Sequence, residues 1–367
     1  MKLDAIALRD FRNYRELSLE FAPGVNLIVG DNAQGKTNLL EAISYLGSGR
    51  SFRALRTAEL VRLGADFGEL EGSVFSQERQ QQLRWLLFSG SRPRQLFRNG
   101  VKKKTAGEIA GVLQTVLFCP EDLTVLKTGA SARRRLGDGA LCQLRPNYEA
   151  ALAEYNRILE QKARILKDRH ENPALLQILP EYNTRLCQVG ALLISYRARF
   201  FEGLGKAAKA YHEHFSGGKE EFLLEYKTAS TVRDPFAPVA RLTEDLREHL
   251  ESHGRAELES AQCLTGPHKD DFEVTLSGMS VKTYGSQGQT RTAAISLKLA
   301  QRQLMGNQTG EVPVLLLDDV LSELDPARQD FVLNQITEGQ VFITCCEPGR
   351  FTRLGKTIEI QNGNVIQ

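Results

Sequence analysis

The sequence predicts an α/β protein whose sheet domain is split by a mainly helical insertion. An apolar run, Val25 to Val29, leads into a glycine-rich loop that is followed by apolar residues at helical spacing. After about residue 130 the pattern changes to long amphipathic helices, and strand-like apolar runs return after residue 262. We therefore expect residues 1–130 and 263–367 to form one α/β domain, and residues 131–262 to form a helical lid or insertion domain.

The elements before the insertion are predicted from alternation and turn signals. Residues 2–8 and 16–21 alternate apolar and polar side chains, which indicates two opening strands. Apolar residues at 39, 43 and 46 indicate a helix after the glycine-rich loop, and Gly47 is predicted to end it. Further strands are expected between residues 66 and 100, with turns at Ser89-Gly90 and Asn99-Gly100.

The insertion is predicted to contain long helices, and Pro173 and Pro180 separate the first two of them. The second helix has coiled-coil spacing for only about three heptads, so a packed helical hairpin is the favoured interpretation. The predicted helices lie around Leu152 to Leu166, Val189 to Tyr211 and Leu242 to Leu250, and strands return at Phe272 to Leu276 and Val314 to Leu317.

Composition limits the class of protein but does not identify a partner. With 367 residues the chain is long enough for two domains, and its net charge of +2 says almost nothing about nucleic acid. No apolar run approaches the length of a membrane span, and Asp4 falls where a secretory signal needs its apolar core. The six cysteines include no Cys-x-x-Cys pair, so we expect free thiols in a reducing cytoplasm rather than a zinc site.

Residues 30 to 37 read GDNAQGKT, the pattern of a phosphate-binding loop between a strand and a helix. Gly30 and Gly35 let the backbone curl so that its N–H groups face the β-phosphate of a nucleotide. Lys36 brings a cation to the β- and γ-phosphates, and the Thr37 hydroxyl is a ligand for Mg²⁺. An ordinary glycine turn is the alternative, but the flanking strand and helix favour ATP binding. The predicted contacts are Gly30, Asp31, Asn32, Ala33, Gln34, Gly35, Lys36, Thr37 and Asn38.

A phosphate-binding loop needs an acidic partner for its metal ion, and two carboxylates follow the apolar run that ends at Leu317. Asp318 is predicted to hold Mg²⁺ directly or through water. Asp319 is placed to orient or deprotonate the attacking water, so Lys36, Asp318 and Asp319 are the predicted catalytic residues. The structural alternative is that the two carboxylates only cap the next helix.

Two further segments resemble those of ATP-binding-cassette (ABC) ATPases. Ser286-Gln287-Gly288-Gln289 opens a predicted helix and resembles the signature sequence of that class, and Ser322-Glu323-Leu324-Asp325 resembles its dimer-contacting loop. The resemblance implies an ABC-type ATPase head, a P-loop NTPase in which the signature helix of one subunit closes over ATP held by the other. A second helix N-terminus would add N–H donors to the γ-phosphate, so ATP would join a homodimer that hydrolysis releases.

Other motifs resemble the chromosome-maintenance and DNA-repair branch of this class. The segment LRDFRNY, residues 8 to 14, looks like the opening of that branch and implies that Arg12 and Asn13 lie beside the nucleotide. Further segments resemble the RecF family of bacterial recombination-repair proteins, and this similarity runs through the whole chain. These segments are Pro120-Glu121-Asp122-Leu123, Gly129, Arg134-Arg135 and GPHKDD at residues 266–271.

The resemblance to RecF implies a weak, DNA-stimulated ATPase that dimerises around ATP and binds DNA carrying single-strand gaps. It also implies work with RecO and RecR to load RecA at the gap, which supports DNA repair, replication restart and the SOS response. Two alternatives remain open. One is the ATPase subunit of a membrane transporter, which the long insertion disfavours, and the other is a scaffold that binds ATP without hydrolysing it.

The sequence departs from the ABC pattern at two positions near the reacting water. Asp319 stands where most ABC ATPases have glutamate, and residues 341–346 contain no histidine, which leaves Thr344 as the polar side chain for the γ-phosphate. Both changes shorten or remove groups that position water. We therefore expect steady-state turnover below roughly ten per second, the median for enzymes.

Three basic clusters are candidate DNA contacts, and solvated surface explains each of them equally well. Beside the last cluster, Leu136-Gly137 departs from the aromatic and aliphatic pair typical of the family. Because glycine inside a helix costs about 1 kcal/mol relative to alanine, we expect a looser start to the insertion. His268 is either a metal ligand or part of a polar turn, and the turn is favoured. The clusters are Arg50, Arg53 and Arg56; Lys102, Lys103 and Lys104; and Arg133, Arg134 and Arg135.

Overall fold

The chain begins with strands, continues through long helices and returns to alternating strands and helices. A computed structural model describes residues 1–336, 338–346 and 349–366. In chain order the elements are β1 (Lys2–Phe11), β2 (Tyr14–Glu20), β3 (Val25–Val29), α1 (Lys36–Ser48), β4 (Phe67–Ser76), β5 (Arg79–Phe88), β6 (Gln95–Arg98), β7 (Val101–Lys103), β8 (Thr115–Phe118), α2 (Ala130–Leu144), α3 (Pro146–Asp168), α4 (Leu179–Ser216), β9 (Phe222–Lys227), α5 (Val239–Ser260), β10 (Asp271–Leu276), β11 (Met279–Ser280), α6 (Val281–Tyr284), α7 (Gln287–Thr309), β12 (Val314–Leu317), α8 (Pro326–Gln335), β13 (Val341–Cys345), β14 (Gly355–Gln361) and β15 (Asn364–Val365).

These elements form two compact units. The first unit comprises Met1–Thr124 and Arg291–Gln367, and the second comprises Val125–Thr290. The second unit therefore extends beyond the boundary that we predicted after residue 262. The reason is strand pairing: β10 lies antiparallel to β9 in a three-stranded sheet of the second unit, instead of joining the main sheet. A run of alternating residues predicts a strand but does not identify the strand that it pairs with.

The first unit contains a six-stranded sheet of order β15-β14-β3-β13-β12-β8, in which the last five strands of this order are parallel. All four residues of β12 are buried, as is typical of a parallel sheet covered on both faces. The carboxyl ends of β3, β12 and β13 meet at one edge because these strands are parallel. Residues that follow these three strands are thus brought together there, which is where α/β sheets bind ligands.

A second sheet of the first unit is antiparallel, with order β2-β1-β4-β5-β6-β7. Trp85 of β5 is buried and its indole N–H donates to the carbonyl of Leu46 at 3.1 Å, which ties α1 to this sheet. The prediction that Gly47 ends α1 is wrong, because Gly49 takes the left-handed conformation (φ 63°) that caps the helix. Gly47 serves close packing instead, since a Cβ there would lie 2.2 Å from the Leu113 carbonyl oxygen.

The second unit packs α2, α3, α4 and α5 with its small sheet around a buried polar network. Arg197 of α4 is 3% exposed and pairs with Asp138 at 2.9 Å and Asp270 at 3.1 Å. Tyr226 and Thr228 also donate to Asp270, so this buried carboxylate has several partners. The GPHKDD segment therefore fastens the β10 end of the unit to α4.

Gly137 lies inside α2 without loosening it. A Cβ at this position would approach the Phe201 ring to 2.5 Å, so the glycine lets α4 come close to α2. We predicted a looser start to the insertion, but α2 and α4 are in tight contact at Gly137. Helical propensity alone does not indicate this contact. Among the described residues, no helix is long and apolar enough to cross a membrane.

Candidate nucleotide site and signature segment

The loop between β3 and α1 is held in a conformation that requires its two glycines. A Cβ on Gly30 would lie 2.3 Å from the carbonyl oxygen of Ile360. Gly35 has a φ of +120°, and a Cβ there would lie 2.7 Å from Asn13 Nδ2 and 2.8 Å from the Tyr14 hydroxyl. Side chains are therefore excluded at both positions by neighbouring atoms as well as by backbone conformation.

Lys36 lies at the start of α1 and is almost fully buried, with 4% of its surface exposed. Its ammonium group donates to the carbonyl oxygens of Gly30 at 2.6 Å and Asp31 at 3.1 Å. It also lies 3.2 Å from the Cys346 Sγ. The cation is thus held across its own loop, where incoming phosphate oxygens can replace these acceptors.

Thr37 and Asp318 meet at the carboxyl edge of the parallel sheet. The Thr37 hydroxyl donates to Asp318 Oδ1 at 2.9 Å, and the Thr344 hydroxyl lies 3.0 Å from the same oxygen. Burial raises the pKa of Asp318, and the two hydroxyls oppose that effect. A hydroxyl and a carboxylate side by side are oxygen donors of the type that Mg²⁺ prefers, so these residues fit that ion. No group of three or more His, Cys, Asp or Glu ligands lies among the residues that the structure describes, so phosphate oxygens or water would complete the coordination.

Asp319 has an unusual backbone for a residue other than glycine, with a φ of 49°. Its N–H donates to the Thr344 hydroxyl at 2.8 Å, and its carbonyl accepts from Ser322 Oγ at 2.6 Å. These bonds hold the strained conformation and turn the chain away from β12. For the described part of the chain, the Asp319 carboxylate itself has no hydrogen bond or ion pair.

Arg12 and Asn13 are both placed near the loop, but in different ways. The Arg12 guanidinium is paired with the buried Glu41 of α1 through two bonds of 2.7 and 2.8 Å. Asn13 contacts the loop itself, donating to the Gln34 carbonyl at 2.9 Å and accepting from Asn38 at 2.8 Å. Arg12 therefore supports α1, and Asn13 supports the loop.

Two residues of this site carry no recognisable sequence signal. Cys346 follows β13 and lies against Lys36 and Asn32, with 3.1 Å between its Sγ and Asn32 Oδ1. Glu41 is a fully buried carboxylate in α1, and its charge is balanced by the Arg12 guanidinium. The position of Cys346 could have been inferred from its place at the end of a parallel strand, but its contacts could not.

The signature segment of the second unit is organised as a reciprocal helix cap. The Ser286 hydroxyl accepts from the N–H of Gln289 at 3.2 Å, while Gln289 Oε1 accepts from the N–H of Ser286 at 2.9 Å. This capping box begins α7 directly after Gly285. The other end of the Gln289 amide donates to Glu220 at 2.6 Å. Gln289 is predicted to contact ATP, and in the structure its amide oxygen and one amide N–H are engaged by Ser286 and Glu220 of its own unit.

The predicted dimer loop is only partly exposed. Ser322 and Glu323 lie at the surface, whereas Leu324 is 5% exposed and belongs to the core. Asp325 caps α8 by accepting from the Arg328 N–H at 3.0 Å. Leu324 was predicted to contact a second subunit, but its side chain packs in the core instead.

The basic clusters differ in how much of each side chain solvent can reach. The prediction that Arg133 contacts DNA is wrong, because its side chain is 2% exposed and its guanidinium pairs with Asp271 at 2.6 Å. Arg134 is half-buried and donates to the Asp270 carbonyl at 2.6 Å. Arg53 donates to Asn38 at 3.0 Å, which places it beside the phosphate loop. The remaining exposed members are Arg50, Arg56, Lys102, Lys104 and Arg135, with Lys103 half-exposed.

His268 has both ring nitrogens engaged inside the second unit. Nδ1 lies 2.7 Å from the Tyr155 hydroxyl, and Nε2 lies 3.0 Å from the Cys263 carbonyl. Burial lowers its pKa to about 4. The geometry favours the polar-turn interpretation over a metal ligand.

Comparisons with known proteins cover the whole chain. A family model described as "RecF/RecN/SMC N terminal domain" matches residues 2–366. The DNA replication and repair protein RecF of Acetivibrio thermocellus is 37% identical over 352 residues, 96% of this chain and 95% of that protein. The RecF protein of Agathobacter rectalis is 36% identical, covering 100% of this chain and 99% of that protein.

Solved structures give the same match in three dimensions. A structure described as the recombination mediator protein RecF-ATP in the RecFOR pathway has a TM-score of 0.90 and 34% identity, covering 99% of this chain and 96% of that one. The Smc head domain of Pyrococcus furiosus has a TM-score of 0.55 at 18% identity, covering 99% of this chain and 94% of that one, which shows a shared fold alone.

Proposed function

The chain belongs to the RecF family of DNA replication and repair proteins, and from this premise we propose that it is an ATP-dependent DNA-binding switch of recombination repair. The observation that carries the proposal is the meeting of Lys36, Thr37 and Asp318 at one edge of the parallel sheet. A solved relative whose description includes ATP supports the same nucleotide. The ABC-type fold supports hydrolysis as its enzymatic activity.

In this proposal the loop backbone and Lys36 bind the phosphates of ATP. Thr37 and Asp318 are the residues that would hold Mg²⁺, which when bound would offset the negative charge of the phosphates. Thr344 keeps the Asp318 carboxylate oriented through its 3.0 Å contact. Asp319 accepts a proton from the attacking water or orients it, because its carboxylate has no protein partner among the described residues.

The signature segment of a second copy would complete the site, so ATP would join a homodimer. Hydrolysis would remove the γ-phosphate that the two copies share, and the dimer would then separate. Asp319 is one methylene shorter than glutamate, and the residues after β13 include no histidine among those described. Both features support slow turnover, which suits a timed switch better than a motor.

Family membership also supports DNA as the partner, in particular DNA with a single-strand gap. We propose that the protein acts there with RecO and RecR to load RecA, in support of repair, replication restart and the SOS response. A relative described within the RecFOR pathway supports this assignment. The exposed side chains of Arg50, Arg56, Lys102 and Lys104 are the candidate phosphate contacts of the first unit.

Mass in solution tests this proposal, measured by light scattering without nucleotide, with ADP, and with ATP plus gapped DNA. We expect a monomer in the first two conditions and a dimer in the third, and Lys36→Met should remain a monomer throughout. A protein that binds ATP but stays monomeric would remove the switch. A protein that dimerises without ever hydrolysing ATP would be a scaffold instead.

A further inference from the structure

The signature segment is held by two side chains from distant parts of the second unit. Lys127 donates to the Gly285 carbonyl at 2.8 Å, directly before the capping box. Glu220 accepts from the Gln289 amide at 2.6 Å, inside the first turn of α7. Ser286 and Gln287 remain exposed at the surface between these two contacts. The N-terminus of α7 is therefore fixed from both sides, while its outer face is open.

Glu220 lies in the segment between α4 and β9, and its carboxylate joins α4 to α7. Besides Gln289, it contacts Nε2 of His212 at 2.9 Å, and His212 of α4 is fully buried. Burial raises the pKa of Glu220, but the bonds from Gln289 and His212 outweigh that effect and keep the pKa below its ordinary value. The carboxylate thus remains charged and accepts from α4 and α7 together.

The Glu220 contact determines which way the Gln289 amide faces. A glutamine amide has an acceptor end and a donor end, and the capping box uses only the acceptor. Glu220 takes the donor end, so the amide oxygen must face the Ser286 N–H. Without Glu220, the amide would be able to rotate, and its NH₂ group would then face that N–H and break the cap.

We propose that Glu220 is a positioning residue for the signature segment, and that it links α4 to ATP-dependent closure of the dimer. The inference rests on the proposed function, because a signature segment acts only on ATP bound by a second copy. N–H groups at a helix N-terminus bind phosphate well only when they are already oriented. Glu220 supplies that orientation and does not itself touch ATP.

Glu220→Ala tests the positioning role, with the neighbouring Glu221→Ala as its matched control. Glu221 is exposed, and within the described part of the chain it contacts Lys209 and Ser277, away from the signature. We expect Glu220→Ala to weaken ATP-dependent dimerisation roughly ten-fold. Binding of ATP to the dilute monomer should stay unchanged, and Glu221→Ala should match the parent protein in both measurements.

An exchange of the two side chains keeps the test decisive if Glu220→Ala folds poorly. Gln289→Glu alone sets two carboxylates against each other and should weaken dimerisation. Adding Glu220→Gln restores a donor and an acceptor, so the double variant should recover most of the dimerisation. Equal dimerisation in all variants, or no recovery in the exchange, would overturn the role of Glu220. Failure of the parent protein to dimerise would instead overturn the proposed function.

Discussion

The phosphate loop and the signature segment are both helix N-termini, but they are built in different ways. The loop carries its own cation, because Lys36 donates to the Gly30 and Asp31 carbonyls, while Asn13 and Cys346 add contacts from distant parts of the chain. The signature segment depends on Glu220 and Lys127, which come from distant parts of the chain. The loop thus contains its own phosphate-binding cation, whereas the signature segment offers N–H groups whose cap depends on side chains from elsewhere in the second unit. The two regions should therefore respond differently to substitution.

The largest effect should come from Lys36→Met, which removes the phosphate-binding cation from the first region. Because two charge-assisted bonds to phosphate are lost, ATP affinity should fall by roughly 100-fold. Titration with a fluorescent ATP analogue measures this. The exposed Lys206→Met should bind as the parent protein does, and normal binding by Lys36→Met would mean that the loop is not the nucleotide site.

Asp319→Asn should separate binding from chemistry within the same region. Loss of a general base lowers the rate typically by 10² to 10⁴, so hydrolysis should fall roughly 100-fold. ATP affinity should stay within about two-fold of the parent, and the ATP-bound dimer should last longer. Single-turnover hydrolysis and light scattering on the same samples measure both quantities. Unchanged hydrolysis would assign the base to another group.

The second unit should show a pH dependence of stability that comes from His268. The pKa of His268 is about 4 in the folded protein and near 6.5 when unfolded, so the unfolded chain binds the proton first as pH falls. This contribution to stability is present above pH 6.5 and is lost between about 6.5 and 4. From pH 7 to pH 5 the parent should lose about 2 kcal/mol more unfolding free energy than His268→Gln.

Urea unfolding at the two pH values measures this difference. The exposed His170→Gln serves as the control and should retain the pH dependence of the parent. Equal pH dependence in the parent and His268→Gln would show that His268 is not held neutral by its burial.

A pair of glycines in α2 tests the packing of helices in the second unit. A methyl group on Gly137 would meet the Phe201 ring, so Gly137→Ala should lower the unfolding free energy by about 1–3 kcal/mol. Gly139 has open space around it, and Gly139→Ala should raise stability by about 0.4–1 kcal/mol. Thermal unfolding of both variants compares them, and a stabilising Gly137→Ala would contradict the packing role.

Local residue spacing is enough to predict several parts of this protein. The loop from Gly30 to Thr37, the helix after it and the strand before Asp318 are each indicated by residue type and period along the chain. The strands with which that strand pairs are not indicated in this way. The RecF resemblance carried by short motifs is confirmed by relatives that span the chain. The ABC-type fold with its helical insertion is confirmed as well.

Packing in three dimensions selects which distant side chains meet. Arg133 and Arg135 are the same residue type two positions apart, yet Arg133 is buried against Asp271 and Arg135 is exposed. Likewise, β10 could have joined either sheet, and nothing in its alternation selects β9. The contact of Glu220 with Gln289 is of the same kind. Local spacing specifies which face of an element is apolar, but the partner on that face is chosen by packing between elements far apart in the chain.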